Sequence, residues 1–348
     1  PTMPDSVRFA LEGAGAIAQT YAQAMRQVPE ARLVAVVDPR LDAARALAET
    51  VDCPSFATHR EFLEEGPVCD AAVVCTPPST HEEISVDVLN KGLHVLCEKP
   101  FALDVAGAIR MSDAAIEAGV LLSMGSKFRY VDDVVRAKSI VDSGILGEII
   151  LFENVFTSRV DMSKRWNSDP AISGGGVLID NGSHSVDLMR YFLGPLSAVQ
   201  AVEGKRSLGL RVEDTALVFA RSESGEMGRL DLSWSIHKES ENYLSIHGRH
   251  GTIFVGWKQS RYRQSSSPDW VIFGSGYDKV RAFSNQVRNF ARSIQGREIL
   301  RITAEDAVAS VEVIETAYRS MVTEHWVSVE HESASTCGNG VHSQLGPV

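Results

Sequence analysis

The sequence predicts an α/β protein of two domains, a doubly wound parallel sheet followed by an α+β domain with a large, mostly antiparallel sheet. Three observations support this prediction. The chain has 348 residues, which is long for one domain. Short apolar runs alternate with helical patterns through residues 7–124. After Tyr130 the pattern changes to strands in succession, which is typical of a second domain with an antiparallel sheet.

The apolar runs of the first domain are nearly continuous, which indicates strands buried on both faces, as in a parallel sheet covered by helices. The predicted strands are residues 7–11, 33–37, 71–75, 95–97 and 120–124. The predicted helices are residues 16–27, 41–50, 82–91 and 105–118. Ligands of such sheets bind outside the carboxyl ends of the strands, so the residues that follow each strand are the first candidates for a site.

The second domain is predicted to begin with a helix over residues 131–141 and a long strand over 149–156, followed by a glycine-rich segment and a helix that ends at Phe192. Further strands are predicted at residues 198–202, 215–220, 228–235, 242–247 and 252–257, and closing helices at 280–294 and 304–321. We therefore assign residues 1–127 to the first domain and 128–330 to the second. Residues 331–348, rich in Ser, Gly and Asn, are predicted to be a flexible tail.

Composition excludes several classes of protein. The net charge of −11 and the lack of a basic run argue against nucleic acid as a partner. No apolar run is long enough for a membrane span, and no secretory leader is visible, so we expect a cytoplasmic protein that does not bind membranes. The five cysteines are odd in number and form no Cys-x-x-Cys pair, so we expect neither disulfides nor a metal site.

A glycine-rich turn lies between the first predicted strand and the first predicted helix. It has the G-x-G-x-x-A form of a dinucleotide-binding turn, and it reads Gly13-Ala14-Gly15-Ala16-Ile17-Ala18. The first glycine permits the tight turn, and the second lets a pyrophosphate approach the backbone. The phosphates would lie on the helix N-terminus, where free N–H groups and the helix dipole favour anions. We therefore place Gly13, Gly15, Ala16 and Ile17 in a cofactor site.

The choice between NAD and NADP depends on Asp38, which follows the second predicted strand. A carboxylate at this position accepts hydrogen bonds from the ribose hydroxyls of NAD and repels the 2′-phosphate of NADP. Asp38 could instead serve only the start of the next helix, before Pro39. Arg40 could stack on the adenine or hold a phosphate. We expect NAD, with NADP as the less favoured cofactor.

Two further strand ends carry candidate residues. After the strand at 71–75, Thr76-Pro77-Pro78 forms a rigid turn that could line the nicotinamide ribose, although Ser79 or Thr80 could simply cap the next helix. After the strand at 95–97 comes Glu98-Lys99-Pro100. A lysine at a strand end is held in place by the sheet, so Lys99 is either a site residue or part of a polar turn.

Asp180 and His184 lie four residues apart after Gly174-Gly175-Gly176, so on a helix they share one face. A carboxylate beside an imidazole fixes the ring's tautomer and stabilises its protonated form, which suits a general base. Alternatively, Asp180 caps the helix and His184 is a half-buried surface residue.

Together these motifs resemble the glucose–fructose oxidoreductase/inositol dehydrogenase (Gfo/Idh/MocA) family, whose first domain is a Rossmann fold. The resemblance runs from about Val7 to Met321. It rests on the glycine turn, Thr76-Pro77 with His81, Glu98-Lys99-Pro100, Phe128-Arg129-Tyr130, Trp166 and the Asp180-x-x-x-His184 pattern. It implies an NAD(P)-dependent dehydrogenase of a secondary hydroxyl in a sugar or cyclitol, assembled as a homodimer or homotetramer. Thr76, Pro77, His81, Glu98 and Lys99 would then belong to the cofactor site.

The resemblance also implies that Lys99 and His184 contact the reacting hydroxyl, that Asp180 supports them and that Pro100 is a cis-proline. Because an ordinary lysine keeps its proton at neutral pH, we expect Lys99 to donate a hydrogen bond to the oxygen and His184 to act as the base. Further substrate-binding candidates are the cleft residues Lys127 and Arg129, and Trp166 and Asn167 before the glycine run. Each of these four is equally compatible with a surface or interface position.

Two other functions are compatible with the same motifs. An NAD-dependent glycoside hydrolase would oxidise its substrate only transiently and release no NADH. A non-catalytic NAD sensor would need the glycine turn and Asp38, but it would have no use for Lys99, Asp180 and His184 together.

Overall fold

A computed structural model describes residues 6–162 and 165–330. The first sheet consists of β1 (Val7–Glu12), β2 (Ala31–Val37), β3 (Ser55–Phe56), β4 (Ala71–Val74), β5 (His94–Glu98) and β6 (Leu122–Gly125). The strand order is β3-β2-β1-β4-β5-β6, and every neighbouring pair is parallel. The order reverses between β1 and β4, so a ligand crevice is expected where these two strands end. The predicted doubly wound sheet is confirmed.

Five helices cover this sheet: α1 (Ala16–Met25), α2 (Leu41–Glu49), α3 (His59–Glu65), α4 (His81–Asn90) and α5 (Val105–Ala118). Apolar residues of α1 and α2 share one core with the sheet, and those of α3, α4 and α5 share another on the opposite face. The boundaries of α5 agree with the predicted range because the sequence marks both ends. Asp104 accepts a hydrogen bond from the Gly107 N–H at 2.7 Å, and Gly119 takes a left-handed φ of 65°.

The second sheet has nine strands: β7 (Ile149–Thr157), β8 (Leu196–Glu203), β9 (Thr215–Ser222), β10 (Met227–Ser233), β11 (Asn242–Gly248), β12 (Gly251–Gly256), β13 (Ser260–Gln264), β14 (Val271–Gly274) and β15 (Val327–Ser328). Their order is β14-β13-β12-β11-β7-β10-β9-β8-β15. Neighbours are antiparallel except for β7 and β10, which are parallel, so the predicted mostly antiparallel sheet is confirmed.

The helices of the second half are α6 (Asp132–Asp142), α7 (Pro170–Ser173), α8 (Val177–Leu193), α9 (Lys279–Ile294) and α10 (Ala304–Thr323). Most residues of α8 are buried, because this helix lies between the second sheet and the first domain. The predicted tail, residues 331–348, lies outside the described residues. No helix in the described part of the chain is long and apolar enough to cross a membrane.

The last two long helices connect the two halves. Our sequence assignment placed both in the second domain, yet Phe283, Val287 and Phe290 of α9 lie in the core that α1 shares with the first sheet. On α10, Val311 packs in the core of α3, α4 and α5, whereas Ile314 packs in the core of the second domain. Through α9 and α10, the second half of the chain therefore contributes residues to the cores of the first domain.

Candidate active site

The glycine turn leaves open space in front of α1. Gly13 has a φ of 111°, and a Cβ there would lie 3.0 Å from the Cys75 carbonyl oxygen, so only glycine fits without strain. Gly15 is the N-cap of α1, and a Cβ on it would meet nothing within 4 Å. Uncapped N–H groups facing open space fit the pyrophosphate of a dinucleotide.

Asp38 is tied to this turn. Its Oδ2 accepts a hydrogen bond from the Ala14 N–H at 2.8 Å, and its two oxygens accept from the Arg40 guanidinium at 3.1 Å each. Burial raises the pKa of Asp38, but the hydrogen bonds from Arg40 and Ala14 outweigh it, so the pKa lies below its ordinary value. The carboxylate is thus ionised beside the turn, as binding of a ribose diol requires. Arg40 lies on Asp38 with its side chain 69% exposed, so it can leave when a ligand arrives.

Glu12 is a second carboxyl at this turn, and sequence reasoning missed it. The residue is 1% exposed, and its Oε1 is buried without a hydrogen-bond partner among the described residues. Burial raises the pKa of Glu12 to about 8. A carboxyl residue directly before Gly13, after the apolar residues Phe9, Ala10 and Leu11, was the available signal.

Replacing Glu12 with Gln is expected to remove a pH-dependent loss of stability. The folded state holds this proton more tightly than the unfolded chain, so the contribution to stability is complete at low pH and is lost as pH rises through about 8. Wild type should therefore lose roughly 2–3 kcal/mol more than Glu12→Gln between about pH 6 and pH 9. Urea unfolding at both pH values measures this difference. The control variant Glu64→Gln changes an exposed carboxylate and should lose as much stability between the two pH values as wild type does. If Glu12→Gln also loses as much stability as wild type, the prediction is wrong.

His81 lies behind the cofactor crevice. It is 1% exposed, and its two ring nitrogens are 2.8 Å from the carbonyl oxygens of Thr76 and Pro100. Burial lowers the pKa of His81, although the carbonyl oxygens of Thr76 and Pro100 oppose the shift. We expected His81 at the cofactor. The structure instead has it connect the Thr76-Pro77 turn to the Lys99-Pro100 loop, because both nitrogens are already used.

Lys99 reaches the second domain. Its Nζ lies 2.6 Å from Asp180 Oδ1 and 3.2 Å from the Asp180 carbonyl oxygen, with side chains 16% and 20% exposed. The Lys99–Pro100 peptide bond is cis, as the resemblance implied. An ammonium so held is oriented at the cleft and still reached by solvent. Thus the end of β5 and the first turn of α8 form one ion pair across the domain boundary.

Glu98 points to the other side of the strand. Its Oε1 accepts a hydrogen bond from the Tyr21 hydroxyl at 2.7 Å, and that hydroxyl also accepts one from Gln286 Nε2 at 2.7 Å. Burial raises the pKa of Glu98, although Lys127 and Tyr21 oppose the shift. This network links β5 to α1 and α9 beneath the crevice. Neither Tyr21 nor Gln286 could be identified from the sequence, because both are distant from Glu98 along the chain.

His184 has partners that its spacing from Asp180 did not predict. It is 4% exposed, with Nδ1 3.4 Å from Ser126 Oγ and Nε2 3.2 Å from Lys127 Nζ. Burial, followed by the charges of Lys127 and Lys99, lowers the pKa of His184 well below its ordinary value. Asp180 is bonded to Lys99 instead. Asp180 and His184 lie on one helix face, but they do not form the carboxylate–imidazole pair. Asp180 contacts Lys99, and His184 contacts Ser126 and Lys127.

The start of α8 is held by Glu213, which sequence reasoning also missed. Its Oε1 accepts hydrogen bonds from the Gly176 and Leu178 N–H groups at 2.9 and 3.0 Å and from the Tyr318 hydroxyl at 2.7 Å. A negative group is favourable at a helix N-terminus. A Cβ on Gly176 would collide with the Glu213 backbone carbonyl, which explains the glycine there. This cap fixes the turn that carries Asp180.

Arg129 does not reach the cleft, contrary to our expectation. It is 4% exposed, and its NH2 and Nε lie 2.5 and 3.2 Å from the two oxygens of the fully buried Asp187. Its NH1 also donates to the Arg301 carbonyl oxygen at 3.0 Å. The Arg129 guanidinium already donates to Asp187 and to the Arg301 carbonyl oxygen, so it stabilises the domain junction and is not available to a substrate.

Trp166 and Asn167 lie in a short 3₁₀ turn, Trp166–Ser168, that leads into α7. Trp166 is 39% exposed and Asn167 is half-buried. Both precede the glycine run, as the sequence indicated, and their contact with a substrate remains a prediction.

Two family models match this chain. A model described as "Oxidoreductase family, NAD-binding Rossmann fold" matches residues 7–126, and one for the GFO/IDH/MocA C-terminal domain matches residues 134–254. Inositol 2-dehydrogenase of Rhizobium meliloti (strain 1021) is 25% identical over 346 residues, covering 93% of this chain and 99% of that protein. The scyllo-inositol 2-dehydrogenase (NAD(+)) of Bacillus subtilis (strain 168) is 25% identical over 328 residues, covering 89% and 93%.

Solved structures share the architecture. GenD2 from gentamicin A biosynthesis, in complex with NAD, superposes with a TM-score of 0.82 at 29% identity over 95% of this chain and 98% of its own. Levoglucosan dehydrogenase, in complex with NADH and levoglucosan, has a TM-score of 0.87 at 20% identity over 94% and 100%, which shows the shared fold.

The family model, the named relatives and the NAD-bound structure show an NAD-binding oxidoreductase, so the predicted class of enzyme and its predicted cofactor are confirmed. The two domain matches together cover most of the chain. The protein belongs to the GFO/IDH/MocA oxidoreductase family.

Proposed function

We propose that the protein oxidises a secondary hydroxyl of a sugar or cyclitol to a carbonyl, with NAD⁺ as the oxidant. The observation that carries this proposal is the contact of Lys99 with Asp180 beside His184, at the sheet edge that also bears the glycine turn. The relatives' names support the substrate class, because they include inositol 2-dehydrogenases from two organisms.

Lys99 is proposed to hold the reacting oxygen. Its ammonium has three N–H donors, of which Asp180 takes two at its carboxylate and carbonyl oxygens. The remaining donor is available to a substrate hydroxyl. NAD, when bound, supplies the electrophilic nicotinamide ring that takes a hydride from the carbon bearing this hydroxyl. As negative charge develops on the oxygen, a fixed ammonium stabilises it more than it stabilises the neutral alcohol.

His184 is proposed to accept the hydroxyl proton. The ring is buried and neutral, and Ser126 and Lys127 hold it from two sides. Burial excludes water from the imidazole, so the proton has a defined acceptor within the site. Trp166 and Asn167 are proposed to contact other hydroxyls of the substrate.

A homodimer or homotetramer is part of the proposal. One face of the second sheet exposes apolar side chains, with Val202 and Met227 each 52% and Phe219 40% accessible. Contiguous exposed apolar patches of this kind mark protein–protein contacts. We also propose a cytoplasmic location.

The test is to incubate the protein with NAD⁺ and, separately, NADP⁺ against a panel of inositols, aldoses and sugar acids, following NADH absorbance. At least one polyol should give steady NADH formation, with NAD⁺ preferred because Asp38 repels a 2′-phosphate. Release of a free sugar from glycosides without NADH would point to the hydrolase. NAD binding without turnover of any glycoside or polyol would point to a sensor and would contradict the proposal.

A further inference from the structure

His184 has an unusual partner for a proposed base. Its Nε2 lies 3.2 Å from Lys127 Nζ, and its Nδ1 faces Ser126 Oγ. Among the described residues, no carboxylate contacts either ring nitrogen, because Asp180 is bonded to Lys99. A histidine that must store a proton alone would need a negative neighbour to stabilise the imidazolium. This ring has cationic neighbours instead.

The donors and acceptors assign the tautomer. Lys127 brings only N–H donors when charged, so Nε2 of His184 must accept and Nδ1 carries the ring proton toward Ser126. The imidazole is therefore a fixed acceptor for the lysine. Lys127 therefore contacts the ring nitrogen that would accept the substrate proton if His184 acted as the base.

The surroundings of Lys127 make it the more basic member of the pair. Its Nζ lies 5.0 Å from the Phe128 ring centre and 5.8 Å from that of Phe283, so two aromatic rings flank it. Charged groups face it from three elements: Glu98 and Lys99 at the end of β5, Asp180 and His184 on α8, and Lys279 on α9. Burial and Lys99 lower the pKa of Lys127 to about 8, with Glu98 opposing. A group that titrates near the working pH exchanges protons well, whereas His184 alone is a poor acceptor.

We infer that His184 and Lys127 act as one base, and that the substrate proton comes to rest on Lys127. The inference rests on the proposed function and changes which atom finally carries the proton. The O–H bond of the substrate breaks, and its proton forms an N–H bond on neutral Lys127, which becomes an ammonium. This ammonium donates a hydrogen bond to Nε2 of His184. The C–H bond breaks with its electron pair, and the hydrogen leaves as hydride for the oxidant, NAD⁺. Lys127 later returns its proton to solvent.

The first experiment measures kcat/KM for polyol oxidation against pH in wild type, Lys127→Met, Lys127→Arg and Lys279→Met. Wild type should gain activity with an inflection near 8, where Lys127 loses its proton. Lys127→Met and Lys127→Arg should both lose about 100-fold and the inflection, because arginine keeps the charge but does not release a proton. Lys279, whose Nζ lies 6.0 Å from the same Phe283 ring, provides the comparison. Lys279→Met should keep the inflection and move it to higher pH, because the charge of Lys279 helps to lower the pKa of Lys127.

The second experiment needs neither substrate nor cofactor. The ¹⁵N signals of His184, assigned with His184→Asn, should show a proton on Nδ1 and a shift of Nε2 with an inflection near 8. The inflection should vanish in Lys127→Met and persist in Lys279→Met. Near-wild-type activity of Lys127→Arg with an unchanged profile, or an Nε2 signal without an inflection near 8 in wild type, would overturn the inference. If no polyol is oxidised the proposed function fails, yet the NMR titration still decides whether the pair exists.

Discussion

Lys99→Met is expected to lower kcat/KM for polyol oxidation by about 10³-fold, or roughly 4 kcal/mol of transition-state stabilisation. Methionine keeps most of the side-chain volume but removes the ammonium that Asp180 holds at 2.6 Å. The charge on the substrate oxygen grows only as the reaction proceeds, so the loss should fall on kcat more than on KM. Steady-state kinetics with the best substrate of the panel measure both constants.

A loss of structure must be separated from this loss of chemistry. The melting temperature and the NAD affinity of Lys99→Met, the latter followed by quenching of tryptophan fluorescence, should stay close to wild type. Lys91→Met, at an exposed helix end, serves as the matched lysine control and should retain activity. If Lys99→Met keeps more than about a tenth of wild-type kcat, Lys99 does not stabilise the reacting oxygen.

Arg129→Met should cost about 3–5 kcal/mol of folding free energy, the largest stability effect we expect in this chain. Asp187 is fully buried, and Arg129 supplies hydrogen bonds to both of its oxygens. Removing the guanidinium leaves the buried Asp187 carboxylate without its ion-pair partner and the Arg301 carbonyl oxygen without this donor. Urea unfolding at neutral pH measures the free energy.

Arg60→Met is the matched control, since Arg60 also contacts two carboxylates, those of Glu83 and Asp87, but is 66% exposed. Exposed pairs contribute about 0–1 kcal/mol, so this variant should be nearly silent. The double variant Arg129→Met/Asp187→Leu should recover part of the loss, because it removes both buried charges. Equal effects of Arg129→Met and Arg60→Met would contradict the account of a buried pair.

The sequence allowed prediction of elements that bury a periodic apolar face. The prediction of α5 was accurate to the residue, since Asp104 and Gly119 mark its ends. The helix α3 was missed because Phe62 is its one buried residue, although Thr58 caps it. The strand β3 has only two residues, and β13 carries Arg261 and Arg263, so neither shows an apolar pattern.

The parts of the candidate site that lie within one short segment of the sequence could be predicted. The glycine turn needs only the adjoining strand and helix, and its neighbours are set by the sheet order. Partners drawn from distant segments were not predictable. The spacing of Asp180 and His184 fixed their common helix face, but Lys99 and Lys127 come from the first domain and decide which contacts each makes. Nothing local marked Glu213 as the cap of α8.

The return of α9 to the first sheet has a consequence for biosynthesis. Phe283, Val287 and Phe290 complete the core beside α1, so the cofactor-binding half lacks one of its packing surfaces until the ribosome has made almost the whole chain. Translation adds about 5–20 residues per second, which leaves this face uncovered for roughly ten seconds or longer. Nascent chains arrested before α9 should therefore be readily cleaved by proteases and bind chaperones, although every residue of the glycine turn is already present.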